Sequence, residues 1–243
     1  MKIKAVLTFI FLNYLSITNL IAGPPYDTDD PEPVDYKHWE VYCASHISDI
    51  SNLLMGTLPH FEVNYGIFDN TQLHIIAPMA YNKQPGENIN YGYGDTELGI
   101  KYRLSKENTS FPEIGVFPLV EQPSGNASKG LGNGEYQFYL PLWIQKSFGK
   151  LTTYGGGGYW IIPNAHNYAF LGWLAQYQFL KPASLGCEFY YIGANQNNNV
   201  TELRFNIGST IDLTEKHHLL FSAGRSLKGV TIFQAYIGYQ YTI

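Results

Sequence analysis

Residues 94–104 read Gly94-Asp95-Thr96-Glu97-Leu98-Gly99-Ile100-Lys101-Tyr102-Arg103-Leu104, and from Glu97 onward they alternate with period two. One face of such a strand would be apolar, formed by Leu98, Ile100, Tyr102 and Leu104. The opposite face would carry acid and base, on Glu97, Lys101 and Arg103. A strand with one fully apolar face and one charged face suits a wall between lipid and water, so this stretch predicts a transmembrane β-barrel.

The same two-faced pattern recurs along the chain in about twelve segments. The sequence therefore predicts an all-β fold, a closed antiparallel barrel with an up-and-down meander. Because the last segment, 231–243, runs to the final residue, it is predicted to pair with the first strand and leave no open edge. The predicted strands cover about 38–46, 59–67, 73–81, 97–104, 112–120, 135–145, 151–161, 171–179, 184–191, 203–211, 218–226 and 231–243.

The predicted connections are short at one end of the barrel and longer at the other. Turns at 68–70, 148–150 and 181–182 are expected on the periplasmic side, and loops at 82–94, 121–134 and 193–199 on the outside. A further loop is predicted at 48–52. An even number of strands would place both chain ends in the periplasm.

Composition agrees with a barrel wall. Charged residues make up 14% of the chain and aromatic residues 16%, and there are 24 glycines. Beyond the N-terminus no stretch is apolar for long enough to form a spanning helix. Apolar residues interleaved with polar ones are typical of barrel strands, in which one face meets lipid and the other meets water.

The N-terminus is typical of a secretory signal peptide, predicted at residues 1–22. Lys2 and Lys4 precede an apolar stretch, and Ala22 precedes Gly23. Loss of these two lysines would move the formal net charge from −5 to −7. We expect export to the outer membrane of a Gram-negative bacterium, with outer-membrane lipid and the barrel assembly machinery as partners. An acidic mature chain argues against a nucleic-acid partner.

Residues 23–37 form a proline-rich acidic segment before the barrel domain, which is predicted at 38–243. The segment contains four prolines, which oppose both helix formation and ladder pairing. Its acids, Asp27, Asp29, Asp30 and Glu32, could offer oxygen ligands to a divalent cation. No calcium-loop spacing is present, so the favoured interpretation is an ordered strap at the mouth of the barrel.

Polar residues on the inward parity of the strands are the candidate pore residues. Charges of both signs in a narrow lumen can line a selective aqueous path, or they can pair and close it. The predicted lumen-lining residues are His60, Glu62, Asn64, His74, Glu97, Lys101, Arg103, Glu188, Arg204 and Asn206.

Other chemistry is weaker in this sequence. His60 and His74 lie on neighbouring strands beside Glu62, but no serine shares that face in those strands, so a hydrolase is a minor alternative and we predict no enzyme activity. Cys43 and Cys187 lie on the apolar parity of distant strands, so neither a disulfide nor a metal site is expected. No cofactor is predicted, because the glycine-rich loop at 121–134 is not followed by a helix.

Several stretches together resemble a known family. They are Gly23-Pro24-Pro25-Tyr26-Asp27-Thr28-Asp29-Asp30-Pro31-Glu32-Pro33-Val34, His38-Trp39-Glu40, the stretch from Gly94 to Tyr102, Pro118-Leu119-Val120-Glu121, Pro141-Leu142-Trp143-Ile144-Gln145-Lys146 and the glycines before Tyr159. They resemble the outer-membrane transporter family labelled for the meta-pathway of phenol degradation. The label implies uptake of aromatic compounds. One departure is the C-terminal residue, Ile243, because outer-membrane barrels usually end in Phe.

Two functions stay open at this point. The first is a porin-like passive channel or transporter for small solutes, aromatic or hydrophobic ones included. The second is a non-conducting structural or adhesive barrel in which paired charges plug the lumen.

Overall fold

The structure is a computed structural model that describes residues 24–194 and 199–243. The predicted signal peptide, 1–22, lies outside the described residues and stays a prediction. No helix in the described part is long and apolar enough to cross a membrane. The strands are β1 Trp39–Ile50, β2 Leu53–Phe68, β3 Thr71–Lys83, β4 Asn90–Tyr93, β5 Thr96–Ser105, β6 Glu113–Val116, β7 Leu119–Gln122, β8 Gln137–Phe148, β9 Leu151–Ile161, β10 Tyr168–Leu180, β11 Ala183–Ile192, β12 Glu202–Asp212, β13 His217–Lys228 and β14 Ile232–Thr242.

These segments form the twelve strands of one closed barrel. β6 and β7 both pair with β5 and β8 and are two parts of one wall strand, while β4 extends the hairpin between β3 and β5. β14 pairs with β1 along its length, from Glu40 opposite Thr242 to Ile50 opposite Ile232. The predicted twelve-stranded antiparallel meander, closed by its last strand, is confirmed.

The two faces of β5 separate as the alternation predicts. Ile100 and Leu104 point away from the barrel and are 49% and 56% exposed, whereas Lys101 and Arg103 point into it and are 4% and 7% exposed. Outward apolar and inward polar residues are the arrangement of a wall between lipid and an aqueous lumen.

Several details of the strands differ from the prediction; one is β4, a short strand within the expected loop at 82–94. The expected loop at 48–52 is wrong, because β1 continues to Ile50 and turns through Ser51 and Asn52 alone. Both residues have positive φ, 52° and 78°, which a two-residue hairpin turn of the favoured hand requires. The predicted single strand at 112–120 is interrupted at Phe117-Pro118, because Pro118 has no N–H to donate to its neighbour.

A bulge in β2 changes which residues face inward. Ala44 of β1 pairs with His60, but His46 pairs with Thr57, so one extra residue lies on β2 in the interval that contains Leu58. Thr57 and His60 thereby both face the lumen, and the Thr57 hydroxyl lies 2.8 Å from Nδ1 of His60.

Candidate functional site: the lumen and its strap

The acidic N-terminal segment lies inside the barrel. We call residues 24–37 the strap. Thr28 and Asp30 at its centre are 0% and 1% exposed, and the strap contacts strands on opposite sides of the barrel, β11 through Glu188 and β5 through Lys101. The predicted position at the mouth is therefore wrong. The segment cannot pair as a strand, because its prolines lack N–H groups, but its acids find partners among the polar side chains of the lumen.

The first half of the strap is held by β11, β12 and β13. The Ser222 hydroxyl donates to the carbonyl of Pro25 at 2.6 Å. The backbone N–H groups of Asp27 and Thr28 both donate to the carboxylate of Glu188, which is fully buried. The side chain of Glu188 therefore holds the strap through backbone N–H groups of the strap.

Amide side chains complete this network around Asp27. Asn206 donates to Asp27 at 3.0 Å and to Glu188 at 2.7 Å, and Gln234 donates to Asp27 at 2.8 Å. The hydroxyl of Tyr190 in turn donates to Gln234 at 2.8 Å. Glu188, which is buried, thus receives the hydrogen-bond donors that a buried polar group needs in order to be stable.

The centre of the strap is held by one ammonium group. Nζ of Lys101 on β5 lies 2.9 Å from Asp29 and 3.2 Å from Asp30. Burial raises the pKa of the Asp30 carboxyl well above its ordinary value. Burial acts upward on Asp29 as well, but the charge and the hydrogen bond of Lys101 outweigh it and lower the pKa of Asp29. Lys101 therefore acts as the electrostatic anchor of the strap.

The last part of the strap leads to the end of the barrel where β1 begins. Gln72 on β3 accepts from the N–H of Val34 at 2.8 Å, and the N–H of Lys37 donates to the carbonyl of Gly66 at 2.7 Å. Tyr36 forms an isolated parallel bridge with Gly66. The strap thus crosses the lumen from its middle to one end.

Glycines in the wall make room for the strap. A Cβ added to Gly172 on β10 would lie 2.1 Å from the hydroxyl oxygen of Thr28, and one added to Gly186 on β11 would lie 2.3 Å from the hydroxyl oxygen of Tyr26. Any larger residue at either position would have to displace the strap.

A cavity of about 430 Å³ remains beside the strap. One side of it is polar and acidic. His74 lies at its centre, with Nδ1 2.7 Å from Asn64 and Nε2 2.9 Å from Glu97, while Asn64 donates to Glu62 at 2.8 Å. Glu40 on β1 also lines this side.

The opposite side of the cavity is aromatic. Tyr139 and Trp160 stack with their ring centroids 4.8 Å apart, and Trp143 meets Phe170 at 6.4 Å. Trp143 lies on β8 and Phe170 on β10, so their rings meet across β9. The glycines of β9, including Gly156 beside Trp143, leave the space for this contact, as the run of glycines in the sequence indicates.

The structure places all ten predicted lumen residues on the inner face, but only some of them around the cavity. Those that line it are Glu62, Asn64, His74, Glu97 and Lys101. Glu188, Arg204 and Asn206 belong to the network that holds the strap or to its surroundings, and Arg103 pairs with Glu113 at 3.3 Å. Whether these residues act on a passing solute stays a prediction.

The sequence analysis missed the aromatic side of the cavity. Tyr139 and Trp143 alternate with Leu140 and Leu142 on β8, and the same period-two rule that assigned the charged residues would have placed both rings inside. It also missed Gln234, which lies on the inner parity of β14. The strap acids were recognised as a cluster, but the alternation of the strands carries no information about where a segment outside them lies.

Neither histidine completes a hydrolytic triad among the described residues. His60 contacts the hydroxyl of Thr57, but no hydrogen bond joins His60 to an orienting carboxylate; His74 has Glu97, but no hydroxyl nucleophile. In the described part of the chain no group of three or more His, Cys, Asp or Glu residues is arranged to hold a metal ion, and both cysteines are free thiols.

No protein-family model and no curated protein matches the sequence. Several solved structures are similar in fold. An outer-membrane channel from Pseudomonas putida F1 is similar with a TM-score of 0.67 at 15% identity, over 90% of this chain and 100% of that one. The KdgM porin in complex with disordered oligogalacturonate is similar with a TM-score of 0.60 at 13% identity, over 83% of this chain and 98% of that one. The translocator domain of autotransporter NalP from Neisseria meningitidis has a TM-score of 0.53 at 10% identity, over 84% of this chain and 86% of that one. The chain thus has the fold of outer-membrane β-barrels.

Proposed function

We propose that this protein is an outer-membrane channel that passes small solutes, aromatic ones included. The observation that carries the proposal is the cavity of about 430 Å³ inside the lumen, with an aromatic side opposite a polar side. This volume lies within the range of about 300 to 1,000 Å³ of small-molecule sites. The similar folds of a channel and a porin support a transport role, and the resemblance to the phenol-degradation family supports aromatic solutes.

A non-conducting barrel is the second candidate, and the strap favours it. The strap is fixed by Glu188, by Lys101 and by Gln72, on different strands, and it occupies the middle of the lumen. If the strap never leaves the lumen, no solute can pass through the barrel. The outer loops would then be the part of the protein that interacts with other molecules.

Recordings from the purified full chain in planar bilayers separate these candidates. We expect discrete conductance steps. Phenol added to one side should interrupt the current briefly by binding to the aromatic side of the cavity. Bilayers that stay silent in several salts, together with liposomes that do not swell in any small solute, would instead establish the non-conducting barrel.

A matched pair of tryptophans tests the part played by the aromatic wall. Trp160 lines the cavity, whereas Trp173 points outward and is 50% exposed. Trp160→Leu should shorten the interruptions caused by phenol, and Trp173→Leu should leave them unchanged. Equal effects of the two substitutions would mean that phenol does not bind to the aromatic side of the cavity.

The proposed location is the outer membrane of a Gram-negative bacterium, with insertion by the barrel assembly machinery. An epitope tag after Gly86 or Gly125 should then be reachable by antibody on intact cells, and a tag at Lys150 should become reachable only after the membrane is opened. The reverse labelling pattern would invert this orientation.

A further inference from the structure

We propose that the lumen cavity selects organic cations, namely protonated amines that carry a flat apolar or aromatic body. This inference rests on the proposed channel function and names the solute class of the same cavity. It follows from the charges on one side of the cavity and the ring faces on the other.

Carboxyl groups greatly outnumber cations around the cavity. Its charged lining consists of one ammonium, that of Lys101, and the carboxyl groups of Asp27, Asp29, Asp30, Glu32, Asp35, Glu40, Glu62 and Glu97. The imidazole of His74 is the one further basic group among these residues. The excess is large enough to keep the cavity negative even if several carboxyl groups bind a proton. Clefts lined by one sign of charge concentrate ions of the other sign.

Most of this negative charge comes from the strap and not from the barrel wall. Five of the eight carboxyl groups belong to strap residues, and Lys101 is already paired with two of them, Asp29 and Asp30. The strap therefore occupies the one ammonium that could have attracted an anion. An aromatic carboxylate or phenolate entering the cavity would meet carboxylates with no free cation among the described lining residues.

The aromatic side explains why the cation should be organic. The protein's own cations already lie over ring faces in this lumen: Nζ of Lys101 is 5.0 Å from the ring centroid of Phe117, and the guanidinium of Arg204 is 5.9 Å from that of Tyr190. Cation–π attraction of this kind favours ammonium groups beside aromatic rings. The stacked pair Tyr139 and Trp160 offers a further flat surface for an apolar body.

These features fit a solute with two ends. Its ammonium group would lie near Glu62 and Glu97, and its flat body would lie against Tyr139 and Trp160. 2-Phenylethylammonium has both parts. Phenylacetate has a body of the same shape with the opposite charge, so the two form a matched pair of probes.

The test uses the full chain in liposomes and planar bilayers. In a potassium chloride gradient the reversal potential should lie on the cation side, and 2-phenylethylammonium should enter liposomes about tenfold faster than phenylacetate, at the lower end of electrostatic rate enhancements. Glu97→Gln should lower this ratio severalfold, because a glutamine removes the charge and can keep the hydrogen bond to His74. Glu87→Gln removes the same charge from an exposed loop and should leave the ratio unchanged.

Each outcome bears on one of the two proposals. A conducting channel that is anion-selective, or that passes phenylacetate at least as fast, would overturn the inference and leave the channel function standing. If bilayers are silent, the channel function is wrong, and binding of 2-phenylethylammonium measured by tryptophan fluorescence decides the solute class. Binding that weakens in Glu97→Gln would support the cation site, and a lack of binding would overturn it.

Discussion

The two sides of the lumen are built from the same alternating strands but are filled differently. On the filled side, formed by β11 to β14, Asp27 of the strap is met by amide groups of Asn206 and Gln234. On the open side, formed by β1 to β3, β5 and β7 to β10, the cavity separates carboxyl groups from aromatic rings. None of the described residues of β11 to β14 lines that cavity.

The difference shows how partner chemistry decides whether a lumen closes. Carboxylates, amides and backbone N–H groups complement one another, so the first half of the strap can pack against the filled side without leaving space. On the open side Glu62 and Glu97 are hydrogen-bonded to Asn64 and His74, whereas the ring faces of Tyr139 and Trp160 across the cavity offer a carboxylate no hydrogen bond. The open side is therefore where a solute can find unmatched surface.

The largest effect is expected at the anchor between the two sides. Lys101→Gln leaves the buried Asp30 and the half-buried Asp29 without their cation, and breaking a buried ion pair such as that with Asp30 costs about 3 to 5 kcal/mol. Urea unfolding in lipid vesicles measures the loss, and trypsin cleavage after Lys37 should become faster as the strap loosens. Lys106→Gln, at an exposed position outside the lumen, is the control. Equal stability of the two variants would mean that the ion pair does not hold the strap.

The next largest effect separates the inner face of the wall from the outer face. Ile100 is the neighbour of Lys101 and points toward lipid, so Ile100→Arg places a charge in hydrocarbon at a cost of about 2 to 4 kcal/mol. Ile100→Leu keeps the apolar surface and should change the free energy of unfolding little. If Ile100→Arg were as stable as Ile100→Leu, the lipid and lumen faces would be assigned the wrong way round, since one step of register exchanges them.

The sequence predicted the wall well and the filling of the lumen poorly. Period-two alternation decides the face of each side chain, so Ile100 outside and Lys101 inside follow from the sequence alone. The path of the strap does not follow from it, because Asp29 and Lys101 are distant in sequence and no periodicity links them. The open cavity depends on which inward side chains find partners, which is a property of the packed lumen.

A smaller effect tests how closely the strap fits the wall. Gly172→Ala places a methyl group against Thr28, and overpacking of this kind costs about 1 to 3 kcal/mol. The double variant Gly172→Ala with Thr28→Gly removes the clash, so the two single costs should add up to more than the cost of the double variant. Strict additivity in urea unfolding would show that Thr28 does not lie against Gly172 in the folded protein.

The smallest effect compares one buried hydroxyl from each side of the lumen. Tyr190 on the filled side donates to Gln234 at 2.8 Å, whereas the hydroxyl of Tyr154 on the open side has no hydrogen-bond partner among the described residues; both residues are 2% exposed. Tyr190→Phe should cost about 0.5 to 1.5 kcal/mol, the usual net value of a hydrogen bond.

Tyr154→Phe should be close to neutral, because it removes a polar group that gains nothing from the protein. The free energies of unfolding in urea give both values under one set of conditions. A cost at Tyr154 equal to that at Tyr190 would mean that water satisfies the Tyr154 hydroxyl in the lumen. The two sides would then differ in the space that their side chains leave, and not in how completely their polar groups are paired.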